Sequence, residues 1–79
     1  MNETDIGARI HQRRKELHLT LQYVAQRMGV HKSTIQRYES GKINRIKLPM
    51  ILCLAEILET TPEWLRGETS GNDETPLTK

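Results

Sequence analysis

The stretch TLQYVAQRMGVHKSTIQRYESG, residues 20 to 41, contains two short helical segments that a glycine separates. Four apolar residues of the first segment recur at the i, i+3, i+4, i+7 spacing of one helix face: Leu21, Val24, Ala25 and Met28. Thr20 is a typical N-cap residue, because its hydroxyl accepts a hydrogen bond from the first turn. Gly29 readily adopts the left-handed conformation that ends a helix. The pattern therefore predicts a helix between Thr20 and Gly29.

The second segment, residues 32 to 40, carries few apolar side chains. Only Ile35 and Tyr38 are suited to a core, and Gly41 ends the segment. A turn of only three residues joins it to the first segment, so the two helices must cross at a steep angle. With Ile35 and Tyr38 inward, the polar residues at the N-terminal end point outward: His31, Lys32, Ser33, Gln36 and Arg37.

Helices are also predicted on both sides of this pair. Residues 5 to 18 form an amphipathic helix, with Thr4 as its cap and Ile6, Ile10 and Leu17 on one face. Residues 48 to 58 place four residues at core spacing: Ile51, Leu54, Ala55 and Leu58. Three more residues make this helix apolar on a second side, which predicts burial by the last helix or by a second subunit: Leu52, Cys53 and Ile57.

The C-terminal region begins with a compact helix signal, TTPEWLRG, residues 60 to 67. Thr61 is the predicted cap, Pro62 stands where its missing N–H costs nothing, and Gly67 is the stop. Residues 42 to 47 are predicted to form a loop. Residues 68 to 79 have no apolar period and are rich in polar residues, so we predict a disordered tail or linker.

Composition allows one small domain, predicted at residues 1 to 67, because 79 residues of which 35% are hydrophobic leave no room for another. The single cysteine, Cys53, cannot form an internal disulfide, and no Cys/His cluster has zinc-ligand spacing. No apolar run approaches the roughly 20 residues that span a membrane. We therefore expect a cytoplasmic protein with no metal, cofactor, small-molecule ligand or membrane partner.

Charge is distributed unevenly along the chain, whose net charge is +2. Residues 1 to 47 carry ten lysines and arginines against four acids, a net charge of +6, whereas residues 48 to 79 have a net charge of −4. This asymmetry suggests one face that meets a polyanion. For charge alone, ordinary solvated helix faces are an equally good explanation.

Two segments of the sequence resemble a known family: RIHQRRKELHLTLQYVAQRMGVHKSTIQRYESGK and YESGKINRIKLPMILCLAEILETTPEWLRG. In this order and spacing they resemble the Cro/CI-type (XRE-type) helix-turn-helix regulators, and they are similar to the N-terminal DNA-binding domain of phage-type repressors of Gram-positive bacteria. The resemblance covers about residues 6 to 67. It implies an all-α, five-helix, lambda-repressor-like fold in which helices 2 and 3 form the helix-turn-helix.

The resemblance implies that helix 3, residues 32 to 40, is the recognition helix in the DNA major groove. Its outward residues have the chemistry for base contacts, since Lys and Arg donate to guanine, Gln pairs with adenine and Ser serves either role: Lys32, Ser33, Gln36 and Arg37. In the family, the start of helix 2 and the loop after helix 3 hold the DNA backbone. Here those regions and helix 3 offer seven residues for phosphate contacts: Thr20, Gln22, Thr34, Lys42, Asn44, Arg45 and Lys47.

The family also commonly pairs an arginine of helix 1 with the glutamate that ends the recognition helix. Arg14 and Glu39 match these positions, and we expect a partly buried ion pair that sets the angle of helix 3. His18 stands where glycine is common, which predicts a positive φ. His31 stands where a serine or threonine often caps helix 3, and it is a poorer cap.

Two classes of function remain for such a chain. The first is a sequence-specific transcriptional regulator, a repressor that binds double-stranded DNA as a homodimer on a pseudo-palindromic operator. The second is an antitoxin-like module that binds a partner protein and uses the helix-turn-helix for autoregulation. An enzyme is not predicted, because no serine, histidine or cysteine stands in a catalytic arrangement. The chain is either a DNA-binding fragment that ends in its linker or a short regulator that pairs through helices 4 and 5.

Overall fold

The computed structural model describes residues 6–43 and 45–67, which form five helices and no strand. In chain order the helices are α1 (Ile6–Glu16), α2 (Leu21–Met28), α3 (Lys32–Ser40), α4 (Leu48–Ile57) and α5 (Pro62–Leu65). The predicted all-α, five-helix architecture is confirmed. Within the described residues, no helix is long and apolar enough to cross a membrane. The predicted Thr4 cap and the predicted tail at residues 68–79 lie outside the described residues.

The helices α2 and α3 begin and end where their flanking residues predict. The hydroxyl of Thr20 accepts a hydrogen bond from the backbone N–H of Tyr23 at 2.9 Å, and Gly29 follows α2 with φ = 74°. Gly41 ends α3 with φ = 86°. His31 precedes α3 without a side-chain capping bond, so the first turn of that helix lacks the side-chain acceptor that α2 has.

The first helix, α1, ends at Glu16, two residues earlier than predicted. His18 has φ = 59°, which confirms the predicted positive φ, and its N–H donates to the Lys15 carbonyl oxygen at 3.0 Å. A left-handed residue cannot continue a right-handed helix, so the chain turns here into the cap of α2. The amphipathic pattern predicted the helix, but the backbone angle of one residue determines its end.

Residues from all five helices meet in one core. The fully buried side chains are the aliphatic residues Ile10, Val24, Ile35, Leu54, Leu58 and Leu65. Tyr38 and Trp64 are each 7% exposed and complete the core at its edge. Thr61 caps α5 by accepting from the backbone N–H of Trp64 at 3.1 Å, which positions this side chain.

One side of α4 stays exposed to solvent. Its four predicted core residues are buried: Ile51, Leu54, Ala55 and Leu58. Leu48 and Leu52 are each 51% exposed, so α5 does not cover the second apolar side of α4. Of the three residues predicted to form that side, Leu52 is therefore not covered by the last helix, whereas Cys53 is half-buried and Ile57 is half-buried and packs against the core. Leu48 was not part of that prediction.

Two arginines of α1 contact the C-terminal helices α4 and α5. The Arg13 guanidinium donates to the carbonyl oxygens of Leu58 (2.9 Å) and Glu59 (3.2 Å), which terminates α4 with charge-assisted hydrogen bonds. The Arg9 guanidinium lies over the Trp64 ring, 4.8 Å from its centroid, in a cation–π contact. Part of the polar side of α1 therefore binds the protein itself rather than solvent.

Candidate nucleic-acid interface

The outward face of α3 carries the predicted base-contacting residues. Ile35 and Tyr38 are buried in the core, and four polar residues of the same helix are exposed: Lys32, Ser33, Gln36 and Arg37. At 3.6 residues per turn these four lie within an arc of about 140°. The helix thus presents two cations, one amide and one hydroxyl on one side, a set of donors that suits the edges of bases.

The N-terminal end of α2 contributes Thr20 and Gln22, both exposed. Because the Thr20 oxygen accepts the Tyr23 amide hydrogen, the hydroxyl hydrogen is left to donate to an outside acceptor such as a phosphate oxygen. Leu21 is half-buried and packs against the core, so it fixes the position of these two side chains. In α3, Thr34 is also half-buried, which limits its access to a ligand.

The loop between α3 and α4 alternates between anchored and exposed residues. Ile43 and Ile46 are half-buried and pack against the core, which the sequence pattern did not predict for this loop. The basic residues beside them are exposed: Lys42, Arg45 and Lys47. Asn44 lies outside the described residues. Two apolar anchors therefore hold three cations at the surface beyond the C-terminal end of α3.

Arg14 and Glu39 form a largely buried ion pair between α1 and α3. The Arg14 Nε donates to Glu39 Oε2 at 2.6 Å and its Nη2 donates to Oε1 at 3.0 Å, so the contact is bidentate. The side chains are only 10% and 9% exposed. Arg14 Nη1 also donates to the Leu19 carbonyl oxygen at 2.9 Å. One guanidinium thus joins α1, the turn before α2 and the end of α3.

His11 joins this ion pair, a role that the sequence pattern did not predict. Its Nδ1 lies 2.8 Å from Glu39 Oε1, while its side chain is 53% exposed. The available signal was its position three residues before Arg14, which puts both side chains on the same face of α1.

Gly7 is a second residue that positions α3 and that sequence reasoning did not identify. A Cβ added to Gly7 would lie 2.2 Å from the Tyr38 carbonyl oxygen and 3.0 Å from that of Glu39. Any side chain at this position would push α1 away from the C-terminal end of α3. Glycine therefore allows the close approach that brings Arg14 to Glu39.

Two helices joined by a tight turn, with a polar outer face and flanking cations, define a helix-turn-helix domain of the DNA-binding class. The family model for helix-turn-helix domains (HTH_3) matches residues 10–65, and the chain belongs to this family. The predicted Cro/CI-type membership and lambda-repressor-like fold are confirmed, and this family and fold are those of DNA-binding regulators rather than enzymes.

Several solved structures resemble the chain. SinR, described as the master regulator for biofilm formation and solved in complex with DNA, is 28% identical with a TM-score of 0.71, over 76% of this chain and 95% of that chain. The P22 c2 repressor with a synthetic operator is 25% identical with a TM-score of 0.74, over 81% and 96%. A SinR–SinI complex matches at 28% identity and a TM-score of 0.71, over 87% of this chain and 61% of that chain. No curated protein sequence matches the chain.

Proposed function

We propose that this protein is a sequence-specific transcriptional repressor that inserts α3 into the major groove of duplex DNA. The observation that carries the proposal is the exposed polar face of α3, a helix that the Arg14–Glu39 ion pair joins to α1. The similarity to SinR bound to DNA and to the c2 repressor bound to an operator supports it.

In this proposal, base reading and backbone binding fall to different residues. Lys32 and Arg37 donate to guanine O6 and N7, Gln36 pairs with adenine, and Ser33 donates or accepts. The phosphates are held by the start of α2, by one residue of α3 and by the segment that follows α3 in the sequence, through contacts that do not depend on base sequence: Thr20, Gln22, Thr34, Lys42, Asn44, Arg45 and Lys47. The backbone contacts make affinity depend on salt, and the base contacts make it depend on sequence.

A single recognition helix reads only a few base pairs, so useful specificity requires two copies of the chain. A homodimer on a pseudo-palindromic operator provides them, with half-sites about 10 base pairs, one DNA turn, apart.

The proposal is tested by selecting bound sequences from a pool of random duplexes. We expect an enriched motif with two related half-sites about one turn apart, bound with a log–log salt slope of about 0.9 per neutralised phosphate. A scrambled duplex of the same length is the control. Equal binding to the selected and scrambled duplexes at every salt concentration would contradict sequence-specific recognition.

A second candidate function is binding of a partner protein, as an antitoxin does. Leu48 and Leu52 favour it, because they stand one turn apart on α4 and are both half exposed. The similarity to SinR in a complex with SinI supports it as well. A complex with a co-encoded protein that persists at a salt concentration where duplex binding is lost would distinguish this function from DNA binding alone.

A further inference from the structure

A groove at the edge of the α3 face brings His11 close to the proposed DNA-binding surface. Residues of α1, α2 and α3 line it: His11, Arg14, Leu21, Gln36, Glu39 and Ser40. Gln36 belongs to the exposed polar face, and Leu21 is the first residue of α2. His11 therefore stands between the two elements that are proposed to contact DNA.

The hydrogen bond to Glu39 determines which ring nitrogen of His11 carries hydrogen. A carboxylate only accepts, and Glu39 Oε1 lies 2.8 Å from His11 Nδ1, so Nδ1 must be the donor. The Arg14 Nη2, 3.3 Å from Nδ1, is itself a donor and cannot bond to a protonated Nδ1. In the neutral imidazole the other nitrogen, Nε2, is then left with a lone pair.

The Nε2 side of the ring is available to a ligand. The His11 side chain is 53% exposed, and Nε2 has no hydrogen bond to the described part of the chain. A phosphate oxygen is an acceptor, so it cannot bond to the lone pair of neutral Nε2. It can bond only after Nε2 has taken a proton from solvent.

We propose that His11 is a further contact to the DNA backbone, and that it binds a phosphate only as the imidazolium. This inference rests on the proposed function, because the phosphate is that of the duplex held against α3. The Nδ1–H group of His11 keeps its hydrogen bond to Glu39, while Nε2–H donates a hydrogen bond to the phosphate. Each chain that binds DNA therefore takes up one proton.

Two charged side chains face His11 in the groove. Glu39 of α3 lies 2.8 Å and Arg14 of α1 lies 3.3 Å from Nδ1, and these two form a bidentate ion pair with each other. Lys15, the next residue one turn along α1, is exposed to solvent. Leu21, the groove residue of α2, carries no charge. The phosphate is therefore the added negative charge that stabilises the cation in the complex.

The test compares the wild type with His11→Gln and His11→Lys on the duplex selected from the random pool, at pH 6 and pH 8. Glutamine can still donate to Glu39 but cannot gain a charge, whereas lysine is charged at both pH values. We expect His11→Gln to lose up to about fivefold in affinity at pH 6 and nothing at pH 8. We expect His11→Lys at pH 8 to match the wild type at pH 6. The salt slope of the wild type should be steeper at pH 6 by about 0.9 per chain, and that of His11→Gln should not change.

The criterion is the difference between wild type and His11→Gln, because every pH-dependent group other than His11 is shared by all three proteins. Thermal unfolding at both pH values checks that each variant is folded. An equal pH response in the wild type and His11→Gln would overturn the inference. So would an equal loss for His11→Gln at both pH values, which is the result of positioning Glu39 alone. A wild type that binds no duplex in preference to scrambled DNA would instead refute the proposed function, and the inference with it.

Discussion

The contribution of Arg14 and Glu39 to the stability of the fold depends on their burial. Replacing Glu39 by glutamine keeps the shape of the side chain but leaves the Arg14 guanidinium buried without a countercharge. We expect Glu39→Gln to cost about 3 kcal/mol in the free energy of unfolding, measured in urea. The matched control is Glu16→Gln, because Glu16 pairs with Arg13 at 3.0 Å but its side chain is 47% exposed. This control should lose less than about 1 kcal/mol, and equal losses would contradict a buried role for Glu39.

Glu16 makes a small contribution to the pH dependence of stability. A side-chain hydrogen bond from Gln12, and next one from Arg13, lower the pKa of Glu16 below its ordinary value of 4.5. Because the pKa is lower in the folded state, the contribution is complete above pH 4.5 and is lost as the pH falls through the folded value. We expect the Tm difference between wild type and Glu16→Gln to shrink between pH 6 and pH 3. A constant difference over this range would contradict the assignment.

Arg37 and Arg45 carry the same charge but are proposed to contact different parts of DNA. We expect Arg37→Ala to cost about 1–3 kcal/mol on the selected duplex and to relax discrimination at one base position. Arg45→Ala should weaken selected and scrambled duplexes by the same factor. Fluorescence anisotropy with both duplexes measures the two effects. The division of roles is wrong if both variants lose equally on both duplexes.

At the scale of elements, the contact between α1 and α3 depends on Gly7. Alanine is normally better than glycine inside a helix by about 1 kcal/mol. At Gly7 we expect the opposite sign, a loss of about 1–3 kcal/mol, because the added Cβ meets the Tyr38 carbonyl. Ala8→Gly on the same helix is the control and should lose about 1 kcal/mol by propensity alone. Urea unfolding measures the free energy of unfolding of both variants. A Gly7→Ala variant more stable than wild type would contradict the close approach of α1 to α3 at this residue.

The helices that could be predicted from sequence are those with local signals at their ends. Thr20, Gly29 and Gly41 act on their own neighbours in the chain, so α2 and α3 were predicted with the correct bounds. The side-chain hydrogen bonds from Arg13 to the end of α4 and from His11 to Glu39 join residues that are far apart in sequence. Nothing in the local pattern distinguishes them from a solvated polar face, and so the sequence predicted neither.

For the candidate site, the exposed face of α3 followed directly from the buried positions of Ile35 and Tyr38. The family resemblance was needed to suggest a role for that face, and its base and phosphate contacts stay predictions. The anchoring of the loop by Ile43 and Ile46 was missed because two isolated apolar residues show no period. Their burial depends on tertiary packing against the helices, which the six residues of the loop alone do not reveal.

At the scale of the whole molecule, the position of a basic residue on the surface should affect DNA binding more than its contribution to the net charge. We expect Lys47→Ala to reduce the log–log salt slope of duplex binding by about 0.9 per chain, because it removes one of the proposed phosphate contacts. Arg66→Ala removes the same charge from the acidic half of the chain and should leave the slope unchanged. Measuring the affinity of both variants for one duplex over a range of salt concentrations gives the two slopes to compare. Equal reductions would mean that net charge, rather than a defined surface, attracts DNA.

The separation of inward and outward residues on α3 has an evolutionary consequence. Ile35 and Tyr38 supply the packing, whereas the four exposed polar residues of this helix contribute no side chain to the core. Mutations at Lys32, Ser33, Gln36 or Arg37 are therefore close to neutral for folding. If the proposed function is right, a duplicated copy of the gene acquires a new operator through these codons while it keeps the old scaffold, so paralogues of this domain should diverge in target before they diverge in stability.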